Sequence, residues 1–127
     1  MKIHQSAENY LETIYVLTKR NGSVRSIDIA NELGFSKPSV SVAMKSLREN
    51  GYIDVSGDGR IILLESGIKI AEKLYERHTV LTNTLIALGV PDEIASEDAC
   101  KIEHILSEET FNAIKKHFDN NKTKPSV

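Results

Sequence analysis

The feature that most constrains the fold is a change in the spacing of apolar residues near Gly51. Before it, apolar residues recur every three or four positions in three blocks, each closed by a glycine. After it, this spacing is lost, and short runs rich in isoleucine, leucine and valine occupy residues 52–55 and 60–64. The first pattern is typical of amphipathic helices and the second of short strands. The sequence therefore predicts three helices followed by a β-hairpin with a glycine-rich tip.

The second and third predicted helices carry clear end signals. Ser26 is the predicted N-cap of the second helix, and Gly34 ends it where a left-handed residue is needed. Ser36 caps the third helix, and Pro38 is tolerated in its first turn because an N–H there has no helical partner. Helix, short helix, turn, capped helix and hairpin is the order of a winged helix-turn-helix, whose recognition helix enters the major groove of DNA.

Three further helices are predicted after the hairpin. A long one begins at Ser66, a second spans residues 92–106, and a third runs from Ser107 to about residue 118. Their apolar stripes need a surface to pack against, and a second subunit supplies one, so we expect a homodimer. The predicted fold class is mainly α with a small β-hairpin wing, in which residues 1–65 form the winged helix-turn-helix and residues 66–127 a helical region.

Composition excludes several classes of protein. The 127 residues include no apolar run approaching the roughly 18 residues of a membrane helix, so we expect a cytoplasmic protein with no membrane partner. A formal net charge of −2 gives no overall signature of nucleic-acid binding, so local charge has to be considered. Cys100 is the only cysteine and has no intramolecular disulfide partner. It is therefore a small buried side chain, a reactive thiol or a metal ligand.

The third predicted helix concentrates positive charge. Residues 36–48 include Lys37, Lys45 and Arg48 but no acidic residue. Small side chains in the first turns would let the helix approach base edges and phosphates, and a basic residue beside the hairpin tip would reach a phosphate or the minor groove. The candidate DNA-binding residues are Lys37, Pro38, Ser39, Ser41, Lys45 and Arg60. The alternative is that Ser36 and Ser39 are only cap residues, that the lysines form a solvated face, or that the winged helix binds protein.

A second group of residues suits a metal ion. Cys100, Glu103 and His104 form a C-x-x-E-H pattern, whose thiolate, carboxylate and imidazole suit Fe(II), Co(II), Ni(II) or Zn(II). His78 lies within the apolar stripe of the long helix, where a hydrogen-bonded core histidine is the alternative to a ligand. By themselves, two polar residues of the first helix, Asn9 and Glu12, suggest only solvated surface.

Four segments match a known family in the same order, namely SAENYLETIY, IDIANELGFSKPSVS, the pair Arg77-His78 and DACKIEHILS. They resemble the iron- and manganese-dependent repressors typified by the diphtheria toxin repressor and the manganese transport regulator. The resemblance implies a metal corepressor, Fe2+ or Mn2+, with Co2+, Ni2+ or Zn2+ able to replace it in vitro. It also implies that six residues meet around the metal, namely Asn9, Glu12, His78, Cys100, Glu103 and His104.

Several positions depart from the family pattern. Asn9 stands where the manganese branch has Asp and the iron branch Met, whereas Cys100 matches the iron branch and Glu12 the manganese branch. Thr82 and Ser96 replace a Glu and a His that the iron branch uses for its second metal. The resemblance therefore implies one primary metal site and leaves a second in doubt. No C-terminal SH3-like domain is expected.

These patterns predict a metal-dependent repressor. We expect a DNA-binding domain in residues 1–65 and a metal-binding and dimerisation domain in residues 66–127. The homodimer would bind palindromic operator DNA when loaded with Fe2+ or Mn2+ and control genes of metal-ion homeostasis. The alternative is a redox- or small-molecule-sensing repressor in which Cys100 is a reactive thiol. We do not expect an enzyme, because the sequence contains no evident base or phosphate loop beside the metal ligands.

Overall fold

The computed structural model describes residues 5–123 and consists there of six helices and one two-stranded antiparallel sheet. The elements in chain order are α1 Gln5–Asn21, α2 Ser26–Leu33, α3 Lys37–Glu49, β1 Ile53–Val55, β2 Ile61–Leu63, α4 Glu65–Ala87, α5 Asp92–Ile102 and α6 Glu108–Thr123. The predicted fold class, mainly α with a small β-hairpin wing, is therefore confirmed. None of the helices within residues 5–123 combines the length and apolar character needed to cross a membrane.

The chain divides into two compact units, residues 1–73 and residues 74–127. The division falls inside α4, which begins in the first unit and ends in the second. The boundary that we predicted after residue 65 separates a DNA-binding from a metal-binding domain. Because it divides functions and not compact units, it stays a prediction.

The first unit is built around one apolar core. Helix α1 contributes Leu11, Ile14 and Leu17, which follow the three- and four-residue spacing of a single helix face. The remaining buried apolar residues of this core are Tyr10, Val24, Ile29, Ala30, Val40, Met44, Leu47, Ile53, Ile61 and Ala71. Burial of a side chain the size of leucine contributes about 1.5–3 kcal/mol. This core fixes α3 and the hairpin on the same small domain.

Helix α2 begins differently from our prediction. Its N-cap is Arg25, whose backbone N–H donates to Asp28 Oδ2 at 2.9 Å, while Ser26 is the first helical residue. The predicted N-cap at Ser26 is therefore wrong, because the carboxylate of Asp28 satisfies the N-terminal backbone that a serine would otherwise cap. Gly34 does end the helix as predicted, with a left-handed φ of 69°.

The hairpin forms the wing. Strands β1 and β2 pair in the register Ile53↔Leu63, Asp54↔Ile62 and Val55↔Ile61. At the tip, the backbone N–H of Ser56 donates to the carbonyl of Arg60 at 2.9 Å, and the N–H of Gly59 donates to the carbonyl of Ser56 at 3.0 Å. On its other side, β2 is tied to the core segment because the Ile61 N–H donates to the carbonyl of Val24 at 2.8 Å. Backbone hydrogen bonds thus hold the wing at its tip and where β2 meets the segment at Val24.

The second unit contains the end of α4 together with α5 and α6. Helix α5 ends at Ile102, whereas we predicted helix as far as residue 106. The last α-helical hydrogen bond runs from the Glu103 N–H to the carbonyl of Ala99, and the Ile105 N–H already turns back to Ile102. The chain must turn here because Ser107 starts the next helix, where its Oγ accepts the Thr110 N–H at 3.1 Å.

Gly67, in the first turn of α4, is the basis of a stability prediction. A Cβ at this position would overlap the carbonyl oxygen of Tyr52 and lie 3.2 Å from Leu63 Cδ2. Alanine is favoured over glycine in a helix by about 1 kcal/mol. Because the obstructing atom belongs to the backbone, the cost of overpacking should exceed this gain, so we expect Gly67→Ala to lower the free energy of unfolding by roughly 1–2 kcal/mol in urea denaturation.

Gly57→Ala is the matched control, because a Cβ there meets nothing within 4 Å and Gly57 does not have a positive φ. Its free energy of unfolding should stay within about 0.5 kcal/mol of wild type. Equal stability of the two variants would show that α4 does not approach the backbone of Tyr52 so closely.

Candidate metal centre and nucleic-acid interface

The outward face of α3 is the candidate nucleic-acid interface. Val40, Met44 and Leu47 are buried and fix the inward face of the helix. The five predicted DNA-binding residues of this helix, Lys37, Pro38, Ser39, Ser41 and Lys45, are all exposed. The core therefore orients α3 so that these side chains share the solvent surface of the first unit.

The positive charge of α3 is only partly neutralised. Arg48 Nε lies 3.5 Å from Asp54 Oδ1, so this guanidinium is paired with a carboxylate of β1. Neither Lys37 nor Lys45 makes an ion pair with any residue in the range 5–123. Two ammonium groups on the exposed face are thus left to attract phosphates.

The hydroxyl groups at the start of α3 have a structural role. Ser36 Oγ accepts the backbone N–H of Ser39 at 3.3 Å and donates to Ser39 Oγ at 2.8 Å. The cap role that we gave as the alternative for both serines is therefore present for Ser36, and Ser39 supplies the backbone N–H that is capped. It does not exclude DNA contact, because the side chain of Ser39 stays on the exposed surface.

Val42 is a further exposed residue of α3 that our sequence analysis missed. Its exposed fraction is 71%, and successive helical residues are separated by about 100°, so it points away from the buried Val40 and Met44. A valine exposed at the middle of the outward face was detectable from its spacing relative to the apolar stripe. It adds an apolar contact surface between the polar candidates.

The wing tip contains a tight ionic arrangement. Arg60 Nε lies 2.9 Å from Asp58 Oδ2, and the Ser56 hydroxyl donates to Asp58 Oδ1. The Ser56 hydroxyl, followed by Arg60, lowers the pKa of Asp58 from 3.8 to about 2. Arg60 is exposed and is thus already engaged with a carboxylate in the structure without DNA.

The candidate metal centre is organised around Glu103. This residue has no exposed surface, and neither oxygen of its carboxylate accepts a hydrogen bond from the described residues. One oxygen faces His78 Nδ1 at 3.4 Å and the other faces His104 Nε2 at 3.6 Å. Both distances exceed those of ordinary hydrogen bonds. A buried carboxylate thus lies between two imidazoles without direct hydrogen bonds to either.

This arrangement fits a divalent ion. Metal–ligand bonds of about 2.1 Å at angles of 90–109° place two ligand atoms roughly 3.0–3.4 Å apart. The distances from the Glu103 oxygens to His78 and His104 are close to this separation. A buried carboxylate with no donors also needs a compensating charge, which a cation supplies. The residues therefore fit a metal ion on both geometric and electrostatic grounds.

Cys100 lies at the edge of the same region. It is exposed, and together with His78 and Ser96 it lines an open cleft of about 670 Å³. Ser96 Oγ lies 3.4 Å from His78 Nε2, the ring nitrogen that does not face Glu103. Cys100 and His78 thus line the same cleft, and His78 also faces the Glu103 carboxylate that lies beside His104.

The two other predicted ligands belong to the first unit. Asn9 and Glu12 lie three residues apart on α1, and both are half-buried. Their contribution to a metal site stays a prediction.

Arg77 is, after Val42, a second residue to which the sequence patterns assigned no role, although it is only 4% exposed and precedes His78.

Two family models together match almost the whole chain. The model described as iron dependent repressor, N-terminal DNA binding domain, matches residues 2–61. The model described as iron dependent repressor, metal binding and dimerisation domain, matches residues 64–127.

Individual relatives give the same result. The chain is 38% identical over 108 residues to the transcriptional regulator MntR of Escherichia coli O6:H1, which covers 85% of this chain and 70% of that protein. It is 31% identical over 121 residues to the iron-dependent repressor IdeR of Mycobacterium bovis. This alignment covers 94% of this chain and 53% of that protein. The crystal structure of T. acidophilum IdeR superposes with a TM-score of 0.78 at 25% identity, covering 94% of this chain and 55% of that one. The chain thus spans about half the length of the IdeR proteins.

The wing tip allows a direct test of its electrostatics. The folded pKa of Asp58 lies below its ordinary value, so ionised Asp58 favours the folded wing above pH 3.8, and this contribution is lost as the pH falls towards 2. We expect both Ser56→Ala and Arg60→Ala to raise the pKa of Asp58, because the serine hydroxyl and then the Arg60 side chain are the largest causes that lower it. NMR titration of the Asp58 carboxyl measures both shifts, and wild-type pKa values in both variants would contradict this arrangement of the tip.

Proposed function

Because the chain belongs to the iron-dependent repressor family, we propose that it is a metal-dependent transcriptional repressor which binds operator DNA when loaded with Fe2+ or Mn2+. It acts as a homodimer on palindromic sites and controls genes of metal-ion homeostasis. The observation that carries this proposal within the molecule is the buried Glu103 carboxylate between His78 and His104. The chain acts as a regulator in the cytoplasm and not as an enzyme.

Four residues of the second unit hold the ion in this proposal. Glu103 provides the buried anionic ligand, His78 and His104 provide imidazole nitrogens on either side of it, and Cys100 provides a thiolate from the adjoining cleft. Asn9 and Glu12 of α1 remain candidate oxygen ligands. When bound, the divalent ion supplies positive charge that offsets the Glu103 carboxylate.

The metal acts as a corepressor through linkage. An ion that binds the DNA-competent conformation more tightly than other conformations shifts the population towards it. The same coupling free energy makes operator DNA raise the affinity for the metal. His78, Cys100, Glu103 and His104 therefore need no catalytic chemistry, and their role is to bind an ion selectively.

DNA recognition is assigned to α3 and the wing. Lys37 and Lys45 neutralise phosphates, and Pro38, Ser39 and Ser41 lie at the N-terminal part of the helix that contacts base edges in this fold. Val42 adds an apolar surface suited to a thymine methyl group. Arg60 contacts the DNA backbone by exchanging the Asp58 carboxylate for a phosphate.

The second unit also has apolar surface suited to self-association. Leu88 is 76% exposed and Ile105 is 75% exposed, which are large values for apolar side chains. Burial of these side chains against a second copy favours dimerisation.

No feature of residues 5–123 favours the alternative of a Cys100 thiol sensor over a metal-dependent repressor.

Ser39→Glu tests the assignment of α3. A glutamate here is the third residue of a helix capped by Ser36, a position where it stabilises the helix. Because α3 is preserved while a carboxylate faces phosphates, we expect operator affinity to fall by roughly 100-fold. Gel shift on an operator selected from a random duplex pool with the wild-type protein measures the effect.

Ser39→Gln is the matched control, since it has the same size without the charge. Its loss of affinity should be on the order of tenfold or less. Dimerisation and metal uptake should be unchanged in both variants. Wild-type operator affinity in Ser39→Glu would refute the assignment of α3 as the recognition helix.

Substitutions of Cys100 test the metal assignment. A thiolate favours the later divalent ions, whereas Mn(II) prefers oxygen ligands. Cys100→Glu should therefore improve Mn(II) relative to Co(II) or Fe(II), whereas Cys100→Ala should weaken activation by every metal. The readout is the metal concentration that gives half-maximal operator binding under anaerobic conditions.

Two further variants control this experiment. Glu97→Gln alters a neighbouring carboxylate of the same cleft that we do not assign as a ligand, so it should leave the half-maximal concentrations unchanged. Glu103→Gln removes the buried charge and should be at least as damaging as Cys100→Ala. If Cys100→Ala keeps wild-type values for all ions, Cys100 is not a ligand and the thiol-sensor alternative gains support.

A further inference from the structure

Two of the proposed metal ligands lie beyond the regular part of their helix. Helix α5 ends at Ile102, and Glu103 and His104 belong to the turn that leads to α6. A helix defines the positions of its side chains through repeated backbone hydrogen bonds, but a turn has few of them. The relative positions of the Glu103 carboxylate and the His104 imidazole therefore depend on whatever holds this turn.

Arg77 of α4 contacts the turn through several groups of its side chain. One terminal nitrogen, Nη1, donates to the carbonyl of Glu103 at 3.0 Å and to the carbonyl of Leu106 at 2.8 Å. The other, Nη2, donates to Glu108 Oε1 at 3.2 Å. The guanidinium carbon lies 5.2 Å from the centroid of the Phe111 ring. One side chain thus connects both ends of the turn to the start of α6.

This geometry requires a guanidinium group. Carbonyl groups at a helix C-terminus lack helical donors and carry partial negative charge, so a cation there satisfies and stabilises them. Arg77 is 4% exposed, and its hydrogen bond to the carbonyl of Glu103 is buried away from water. A lysine has a single ammonium centre and cannot place two rigidly spaced nitrogens on three acceptors.

Arg77 and His78 contact the same residue from different sides. His78 faces the carboxylate of Glu103, whereas Arg77 donates to the main-chain carbonyl of Glu103. The charge of Arg77 is directed to carbonyl groups and to Glu108, so neither Glu103 carboxylate oxygen is used by it. The carboxylate is therefore held in place and still available to a cation.

We propose that Arg77 is a positioning residue of the metal centre, which sets the ligand geometry of Glu103 and His104 through their backbone. The proposal rests on the proposed function for the identity of the centre, but not for the contacts of Arg77. It predicts that Arg77 affects metal affinity and ligand geometry beyond any effect on stability. Residues that orient metal ligands typically change affinity by about 10- to 100-fold when replaced.

The experiment compares Arg77→Met and Arg77→Lys with wild type in the full chain, with Co(II) as the probe ion. We expect Arg77→Met to bind Co(II) at least roughly tenfold more weakly and to shift the visible absorption bands of bound Co(II), which report ligand geometry. Arg77→Lys should show a smaller loss in the same direction. In the metal-free protein, hydrogen exchange at the Ile105 amide should accelerate in Arg77→Met, because its acceptor Ile102 lies beside the loosened turn.

Two controls separate positioning from stability. Glu76→Gln weakens the exposed ion pair between Glu76 and Lys115, which joins α4 to α6 at 3.0 Å without contacting the turn. Leu81→Ala destabilises the same unit from its apolar core. Measured well below the melting temperature of each variant, both should keep wild-type Co(II) affinity and absorption bands.

Each outcome decides the inference. Wild-type Co(II) affinity and spectrum in Arg77→Met overturn it, as do losses in Leu81→Ala equal to those in Arg77→Met. If Arg77→Met does not fold, Arg77→Lys decides, and wild-type behaviour of Arg77→Lys overturns the inference. Absence of Co(II) binding by the wild-type protein contradicts the proposed function instead, and hydrogen exchange at Ile105 then tests the positioning role separately.

Discussion

The response of the second unit to a cation depends on the free-energy cost of burying the Glu103 carboxylate. Transfer of an ionised carboxyl group out of water costs several kcal/mol unless donors or opposite charge replace the lost hydration. Glu103 has no exposed surface and accepts no hydrogen bond on either oxygen within the described residues, and its imidazole neighbours stand 3.4 and 3.6 Å away. Such a group is poorly suited to stabilising a domain by itself. It is well suited to responding strongly to a cation, which is the property that a metal-dependent regulator requires.

Charge is distributed differently in the first unit. The chain has nearly equal numbers of basic and acidic residues, 16 and 18, so attraction to DNA has to come from local arrangement. Within residues 5–123, Lys37 and Lys45 of α3 make no ion pair, while Arg48 and Arg60 are paired with Asp54 and Asp58. Paired arginines make weak nonspecific anchors, because the carboxylate competes with phosphate for the same donors. In the proposed function, this pairing limits what the arginines contribute to affinity for arbitrary DNA and assigns recognition to the small and apolar side chains of α3.

The spacing of apolar residues predicted the fold well, because each helix buries one stripe of its own residues. The glycines that end helices could also be predicted, because each one does so for a local reason. The family, the fold class and the class of function are confirmed by the two family models and by the solved relatives. The two errors have identifiable physical causes. At the start of α2, the Asp28 carboxylate accepts the backbone N–H of Arg25, so Ser26 is not the cap, and the turn after α5 is contacted by Arg77, whose acceptors lie 26 to 31 residues away. No pattern of spacing along the chain shows such a contact. The assignment of the individual site residues stays a prediction.

Burial separates the roles of the proposed ligands. Glu103 and His104 have almost no exposed side-chain surface, so a cation compensates groups that water does not reach. Cys100 is exposed and His78 retains 28% of its side-chain surface, so these two groups lose less hydration on binding an ion. The need of the proposed site for a cation therefore comes from the buried pair, Glu103 and His104. In the proposed site, the more exposed pair would contribute a soft thiolate and an imidazole, and such donors discriminate among divalent ions by bond preference. Selectivity can then change through residues such as Cys100 without disturbing the buried charge on which metal dependence rests.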